Sequence, residues 1–348
     1  MSGHFYHTKY LIVGAGITGL STAYHLGGNY IIIEALNCVG GMAATLDYKG
    51  FKLDNAVHVL YFRHNEILDW IRNTLKVGLI QKRRKSVIII NNSHVNFPLQ
   101  YHLSELPSVQ RFRSVLSISK TLLTSLKKST GNFQDYSLNV FGAYLTNIFM
   151  KPYNEKLFGV ELSRMNTDWL GDYVPKYSKH KMILSAFIRS NRNPGRNSVY
   201  YYPVDGGIAK LAEGIRSKLN SQPLYNKTLI NLAVQKKTAY FSDNLEIRYD
   251  HLISTIPLHL LLNIIEDPPQ KLKEYSLKLA YNPITLLHIL MKGYVNHNYD
   301  WIYFPETEIP FYRITFPGNI NPVNCPSGYA SVTLEMGGEI KRNHHTEI

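Results

Sequence analysis

The segment from Tyr10 to Glu34 constrains the fold more than any other part of the chain. Four apolar residues suited to a strand, Tyr10-Leu11-Ile12-Val13, run into Gly14-Ala15-Gly16-Ile17-Thr18-Gly19. A helical stretch, Leu20 to Leu26, follows, then a second strand-like run from Tyr30 to Ile33 that ends at Glu34. Glycines at this spacing between a strand and a helix form a dinucleotide fingerprint. The first permits a tight turn, the second lets backbone approach a pyrophosphate, and the third lets the helix pack closely on the strand. The first helical amides, at Ile17 and Thr18, then face the phosphates. Glu34 lies 34 − 14 = 20 positions after Gly14, where a carboxylate accepts hydrogen bonds from an adenosine ribose. Leu20 stands where a phosphate-binding GxxxxGK loop needs lysine, which excludes a P-loop NTPase. The expected fold class is α/β, with a Rossmann-type GxGxxG domain.

With 348 residues, the chain has length for roughly two to three domains. Hydrophobic residues at 45% and charged residues at 18% exclude an intrinsically disordered chain. Thirty-eight Lys and Arg against 25 Asp and Glu give +13. That surplus predicts an anionic partner but does not by itself choose among nucleic acid, a membrane surface and phosphorylated ligands. The basic run Gln81-Lys82-Arg83-Arg84-Lys85 reads as a solvated turn. Cys38 and Cys325 are too few for a disulfide framework or a structural zinc site, so no metal is expected. The short polar start, Met1 to Lys9, is not a signal peptide. No run approaches the ~18 to 20 apolar residues of a membrane span. A cytoplasmic location follows as the expectation, with the oligomeric state left open.

Further along, apolar spacing is helical from Leu103 to about Lys128 and again from Phe141 to Met150. Tyr200-Tyr201-Tyr202-Pro203-Val204-Asp205-Gly206-Gly207 breaks the pattern before a helix from Ile208 to Leu219. Strand-like runs follow at Thr228 to Val234, Ala239 to Phe241 and Leu245 to Tyr249, then Ile253-Ser254-Thr255-Ile256-Pro257. From about Pro283 the pattern is β-rich.

After Glu34 come Val39-Gly40-Gly41-Met42 and Gly50-Phe51-Lys52-Leu53-Asp54. An acid ending the second strand, a Gly-Gly pair and a G-F-x-x-D segment resemble the FAD enzymes of the flavin amine oxidase and protoporphyrinogen oxidase class. The resemblance implies FAD rather than NAD, with the Gly-Gly loop beside the ribityl and pyrophosphate part. It also implies that a Y-P-x-G-G turn, a small antiparallel sheet and an I-S-T-x-P strand return the chain to the FAD domain. The expected organisation is therefore a discontinuous FAD-binding domain over 1–90 and 200–262, an inserted, mostly helical lid over 91–199, and a β-rich substrate domain over 263–348.

Four more stretches are similar to the UDP-galactopyranose mutases of eukaryotic type and their bacterial relatives. They are Asp54-Asn55-Ala56-Val57-His58-Val59, Val95-Asn96-Phe97-Pro98-Leu99-Gln100, Phe149-Met150-Lys151-Pro152-Tyr153-Asn154 with Trp169-Leu170-Gly171, and Trp301-Ile302-Tyr303-Phe304-Pro305-Glu306 leading to Pro310-Phe311-Tyr312-Arg313. By that resemblance His58 lies beside the flavin. Phe97, Gln100, Asn154 and Phe158 fall on the uridine pocket, with Phe158 in place of the usual tryptophan. Tyr303 and Arg313 fall on groups that hold the diphosphate, a task for which a planar guanidinium is suited. From the residues alone, a core role is the plainer reading of His58, Phe97 and Phe158, whereas a buried arginine such as Arg313 needs an anionic partner.

The chain departs from the mutases at Ala56-Val57, where they carry Gly-Gly, and at Asp172-Tyr173, where they carry a second diphosphate arginine. The mutases also continue past a segment like Ser331-Val332-Thr333-Leu334-Glu335-Met336 to a second FAD motif and further tyrosines, so a C-terminally truncated substrate domain is expected. The implied activity is attack of reduced flavin N5 on the anomeric carbon of a UDP-sugar, followed by ring contraction. The expected partner is thus a UDP-sugar or another small molecule, not nucleic acid. Two other readings remain: an FAD oxidoreductase of the amine oxidase type, and a non-catalytic homologue that binds a nucleotide or a partner. The absence of H-E-x-x-H and G-x-S-x-G suits chemistry carried by a cofactor.

Overall fold

The computed structural model describes residues 5–123, 131–170, 178–189 and 198–338. Gly171, Asp172, Tyr173 and the tail His344-His345-Thr346-Glu347-Ile348 lie outside them, as does the end of the helix expected to reach Lys128. The chain opens with β1 (Phe5–Val13), α1 (Ile17–Leu26) and β2 (Tyr30–Ile33), then the hairpin β3 (Thr45–Tyr48) and β4 (Phe51–Asp54) and the short α2 (Asn65–Asp69). Strands β5 (Leu79–Arg83), β6 (Ser86–Ile90) and β7 (Ser93–Asn96) lead to helices α3 (Ser108–Leu123), α4 (Phe133–Leu145), α5 (Lys151–Phe158) and α6 (Lys179–Leu184). After β8 (Val199–Pro203) come α7 (Ala209–Arg216), β9 (Leu229–Ala233), β10 (Thr238–Phe241), β11 (Glu246–Ser254), α8 (Leu258–Asn263) and α9 (Gln270–Ser276). The last described elements are β12 (Ile284–Lys292), β13 (Trp301–Tyr303), β14 (Arg313–Thr315), α10 (Pro317–Ile320) and β15 (Tyr329–Gly337). They form two compact units, each built from two stretches of chain: Met1–Ile80 with Tyr201–Tyr281, and Gln81–Tyr200 with Asn282–Ile348.

The first unit is a Rossmann-type domain on a five-stranded sheet of order β2-β1-β11-β10-β9. Strands β2, β1 and β11 run parallel, with Val13 between Ile33 and Ser254, and β10 and β9 continue antiparallel. The last four residues of β1, Tyr10–Val13, are apolar without alternation because both faces of the strand are covered there. Ile12 packs with Leu20, Ala23, Leu211 and Ile215 on one side, and Leu11 and Val13 pack with Leu232, Phe241 and Ile247 on the other. The runs expected to form a small antiparallel sheet are β9, β10 and β11, which pair antiparallel as one edge of this larger sheet. The run at Leu245 to Tyr249 continues unbroken into Ile253-Ser254, because β11 bonds along the whole length of β1.

Asp54 ties the hairpin to the start of α7. Its carboxylate accepts hydrogen bonds from Tyr202 Oη at 2.6 Å, Thr45 Oγ1 at 2.6 Å and the Ile208 amide at 2.9 Å. Burial pushes its pKa up against those three bonds.

The second unit holds a six-stranded sheet of order β12-β15-β14-β13-β6-β7, in which only the β6–β13 pair is parallel. Read from sequence alone, residues 86–90 belong to the expected FAD-binding domain and 91–96 to the expected helical lid, both apart from the β-rich domain over 263–348. In the structure β6 and β7 complete the sheet of β12 to β15, with Ile88 opposite Tyr303. The expected helix from Phe141 to Met150 is the end of α4 joined through a π-turn, Thr146–Met150, to α5. At Gly142 (φ 75°) α4 breaks. A Cβ there would stand 2.6 Å from Ser117 Oγ and 2.7 Å from Ser117 O, so α3 approaches as closely as only glycine allows.

The run Gln81 to Lys85 is not the solvated turn expected from sequence: its first three residues end β5, and Arg84 is buried. Lys82 Nζ pairs with the buried Asp300 at 3.4 Å. Arg84 is buried with its guanidinium carbon 4.8 Å from the Phe97 ring centre. Asp300 also accepts from the Lys85 backbone amide at 2.8 Å, so a buried acid far along the chain draws Lys82 inward, while Arg84 lies over the Phe97 ring.

Candidate functional site

The first unit contains a cavity of about 930 Å³. Gly14, Gly16, Ile17, Thr18, Glu34, Gly40, Gly41, Met42 and His58 all line it. Gly19 does not; a Cβ on it would overlap the Gly14 carbonyl oxygen, so its part is to let α1 sit on the turn. Gly16 caps α1 without any side-chain bond, leaving the first amides of the helix for an anion. Gly40 donates its amide to Ala15 O at 3.0 Å. A Cβ on Gly41 would stand 3.3 Å from Gly16 Cα, so the two glycine loops close together on one wall.

Glu34 is buried and clamped. The Ala15 amide donates to Oε2 at 2.8 Å and the Leu36 amide to Oε1 at 2.9 Å, which fixes the carboxylate and leaves further lone pairs for ribose hydroxyls. His58 presents a buried Nδ1 with no hydrogen-bond partner. These features fit FAD: an uncapped helix start and side-chain-free backbone for the pyrophosphate, an oriented acid for the ribose, and an orphaned imidazole nitrogen on the same cavity wall. Lys227, Thr228, Thr255 and Asn263 also line the cavity and were not singled out from sequence. Only Thr255 had a local signal, the I-S-T-x-P string; its hydroxyl donates to Val13 O at 3.0 Å.

In the second unit the strands bring Phe97, Tyr303 and Arg313 together. The Phe97 and Tyr303 rings lie 4.8 Å apart, and Tyr303 is opposite Arg313 across the β13–β14 pair. Tyr153, on α5, stands edge-on to Tyr303 at 5.5 Å and to Tyr312 at 6.2 Å. Burial raises the Tyr153 hydroxyl well above the usual tyrosine pKa, so it remains a donor at neutral pH. Gln100 is 6% exposed, and its Oε1 is buried without a partner. Asn154 is buried on α5 and donates Nδ2 to Met150 O at 2.6 Å. Phe158 lies one turn beyond Asn154, with its ring 5.5 Å from Trp169.

Arg313 does have the anionic partner that its burial demands, and that partner is Glu335. Arg313 Nε donates to Oε1 at 2.8 Å and Nη2 to Oε2 at 2.5 Å, while Thr315 Oγ1 and the Tyr312 hydroxyl complete the carboxylate at 3.0 and 3.1 Å. Burial would lower the Arg313 pKa, but the facing carboxylate more than reverses that. Sequence reasoning missed Glu335 because a lone acid in a strand carries no sign of its cross-strand partner. It also missed Lys156. The ammonium of Lys156 shares its three N–H groups among four backbone carbonyls, those of Phe304, Glu306, Ile309 and Phe311, at 2.9, 2.5, 2.9 and 3.2 Å. Among the described residues no group of His, Cys, Asp and Glu suits a metal, and no helix is long and apolar enough to cross a membrane.

Comparison with solved structures gives the same picture. The crystal structure of reduced UDP-galactopyranose mutase superposes with a TM-score of 0.89 at 28% identity, covering 96% of this chain and 75% of that one. An Exiguobacterium sp. 255-15 protein assigned provisionally to protoporphyrinogen oxidase reaches 0.70 at 15% identity, covering 97% and 78%. A putrescine oxidase double mutant reaches 0.62 at 12%, covering 96% and 76%. The last two show a shared fold. The family model described as flavin containing amine oxidoreductase matches residues 17–322. With FAD as its cofactor, the chain belongs to the flavin-containing amine oxidoreductase family.

Proposed function

We propose that this chain is an FAD-dependent mutase of nucleotide sugars, acting on a UDP-hexose to isomerise its ring. The observation that carries the reading is the likeness, over 96% of the chain, to reduced UDP-galactopyranose mutase. When bound and reduced, FAD supplies the nucleophile for the anomeric carbon. The protein's part is to bind, orient and exclude water. In this reading Gly14, Gly16, Ile17, Thr18, Gly40, Gly41 and Met42 take the FAD phosphates and ribityl chain, with Gly19 setting the helix. Glu34 takes the ribose, and His58 lies beside the flavin ring. Phe97 offers a face to uracil, and the unpartnered Oε1 of Gln100 accepts from its imide. Asn154 and Phe158 border the nucleoside.

Arg313 and Tyr303 meet the diphosphate. Because Glu335 already balances the Arg313 charge, the guanidinium acts through directed N–H bonds more than through bare charge. Arg313→Lys keeps the cation beside Glu335 and loses the fork, so UDP affinity measured by calorimetry should fall about thirtyfold, about 2 kcal/mol. Unchanged affinity would remove Arg313 from the site. The activity test is dithionite-reduced holoprotein with UDP-galactose, chromatographed for the furanose isomer. A second reading, hydride transfer from a C–N or C–C bond to FAD, is favoured by the family description alone. Bound, reducible flavin with no furanose product would favour it over the mutase.

A further inference from the structure

The two large sheets have four edges, and three of them are closed. Beside β2, Leu224 donates to Ile32 O and accepts from the Glu34 amide, both at 2.9 Å. On β9, Leu232 donates to Ile264 O at 2.8 Å and accepts from the Glu266 amide at 2.9 Å. Strand β7 is four residues long, and its outward Asn96 amide donates to Glu105 Oε2 at 2.7 Å. The fourth edge is β12. Its nine residues pair with β15 on one side, and among the described residues no strand pairs with the other. A long edge is ordinarily broken by proline, a bulge or charge. Strand β12 has no proline or glycine, keeps one register from Ile284 opposite Gly337 to Lys292 opposite Tyr329, and carries its one Lys, Arg, Asp or Glu at its last position.

The backbone shows which groups face outward. The Gly293 amide donates to Gly328 O and the Gly338 amide to Pro283 O, both at 2.8 Å, and both pairs continue the β12–β15 register. Odd-numbered residues of β12 therefore bond to β15, and Ile284, Leu286, Leu290 and Lys292 turn N–H and C=O the other way. A row of alternating donors and acceptors is met by an extended strand. The strand that fits is β12 itself. Two copies run antiparallel about a twofold axis at His288 set Ile284 opposite Lys292 and Leu286 opposite Leu290, twice over, in hydrogen-bonded pairs. Between these, Thr285 meets Met291 and Leu287 meets Ile289 in the closer pairs. Leu287 is 42% exposed and Ile289 40%, so each covers the other. The two Lys292 ammoniums lie about 26 Å apart, eight residues at roughly 3.3 Å each, beyond the reach of their repulsion in salt.

We infer that β12 is a self-association edge, through which two copies of this chain join antiparallel, centred on His288, into one continuous sheet. Sedimentation velocity of the holoprotein from about 1 to about 100 µM should show a monomer–dimer equilibrium. Salt raised from about 0.1 to about 0.5 M should leave it unchanged, because the bonds are backbone to backbone. Amide exchange over 284–292 should slow as protein concentration rises. Leu287→Lys with Ile289→Lys sets the new cations opposite one another across the axis and should weaken the dimer at least tenfold. Leu287→Lys with Ile289→Glu sets each cation opposite an acid of the other copy; it should recover most of that loss and become sensitive to salt. Both positions are exposed, so flavin absorbance and melting temperature should hold. Leu290→Pro removes an outward N–H and no bond to β15, and should cost about tenfold. The inference fails if the protein is a monomer throughout, or if the double-lysine and proline variants both dimerise like the parent. It also fails if the lysine–glutamate variant stays as weak as the double-lysine one, or if association runs past two copies, since a twofold pair of edges closes at two. None of these outcomes depends on the sugar chemistry.

Discussion

Ala56 adopts φ 61°, a left-handed conformation that costs an L-residue about 1 to 2 kcal/mol, part of which glycine gives back as unfolded-chain entropy. It sits two residues before His58, where the mutases that the chain resembles carry glycine, so the departure visible in sequence coincides with backbone that glycine would relax. Ala56→Gly is expected to raise stability by up to about 1 kcal/mol, seen as a melting temperature a few degrees higher in the FAD-free protein. A lower melting temperature would mean that the Ala56 methyl packs usefully. The glycine fingerprint was legible from sequence because turn, helix start and second strand fall within 25 residues and Gly19 packs on Gly14 within that span, although Gly14 also answers to Thr255 and Gly16 to the loop at Gly40 and Gly41. Arg313 was half legible. Its need for an anion could be argued from its flanking apolar runs, but Glu335 could not, since the two meet only through the β14–β15 register.

At the scale of elements, Lys156 connects α5, which carries Tyr153, Asn154 and Phe158, to the segment between β13 and β14. That segment links Tyr303 to Arg313, so one ammonium holds together the two parts of the candidate nucleotide site. Burial holds Lys156 at about 8, below the 10.5 of an ordinary lysine, although Glu306 and Glu308 push the other way. Between those values the unfolded chain binds more protons than the folded one, so this group adds stability as pH rises from about 8 toward 10. Lys156→Met leaves four carbonyls unmet and does not titrate. The gap in melting temperature between parent and variant should therefore widen over that range. A gap that narrows would mean that the carbonyls hold the ammonium charged in the folded protein. No sequence pattern announced this lysine, because its partners are backbone oxygens of a loop reached only after folding. The same non-locality hid Lys82 and Arg84, whose run looks solvated until Asp300 and Phe97 arrive beside it.

The molecule as a whole divides its proposed binding between its two units, and each assignment can fail alone. The FAD cavity is lined wholly from Met1–Ile80 and Tyr201–Tyr281, whereas Phe97, Gln100, Asn154, Phe158, Tyr303 and Arg313 all belong to Gln81–Tyr200 and Asn282–Ile348. The expectation of a discontinuous FAD-binding domain came from the order of family-like motifs and not from periodicity, and the joining of 81–200 with 282–348 in one unit was not foreseen. The pairs that build each sheet, β1 with β11 and β6 with β13, join segments too distant in sequence for any local pattern to announce. A ligand that binds only folded protein slows opening of its site by its own mass action, about a hundredfold at a concentration of 100 Kd. Hydrogen exchange should therefore resolve two footprints. FAD should protect the amides at 14–18, 40–41 and 255–258. UDP added to the holoprotein should protect 97–101, 153–158 and 303–313. If UDP leaves those three stretches unchanged while FAD protects the first set, the chain is a flavoprotein whose substrate is not a uridine nucleotide. The carry-over of Phe97, Gln100, Asn154, Phe158, Tyr303 and Arg313 then falls together, because one footprint tests them as a group.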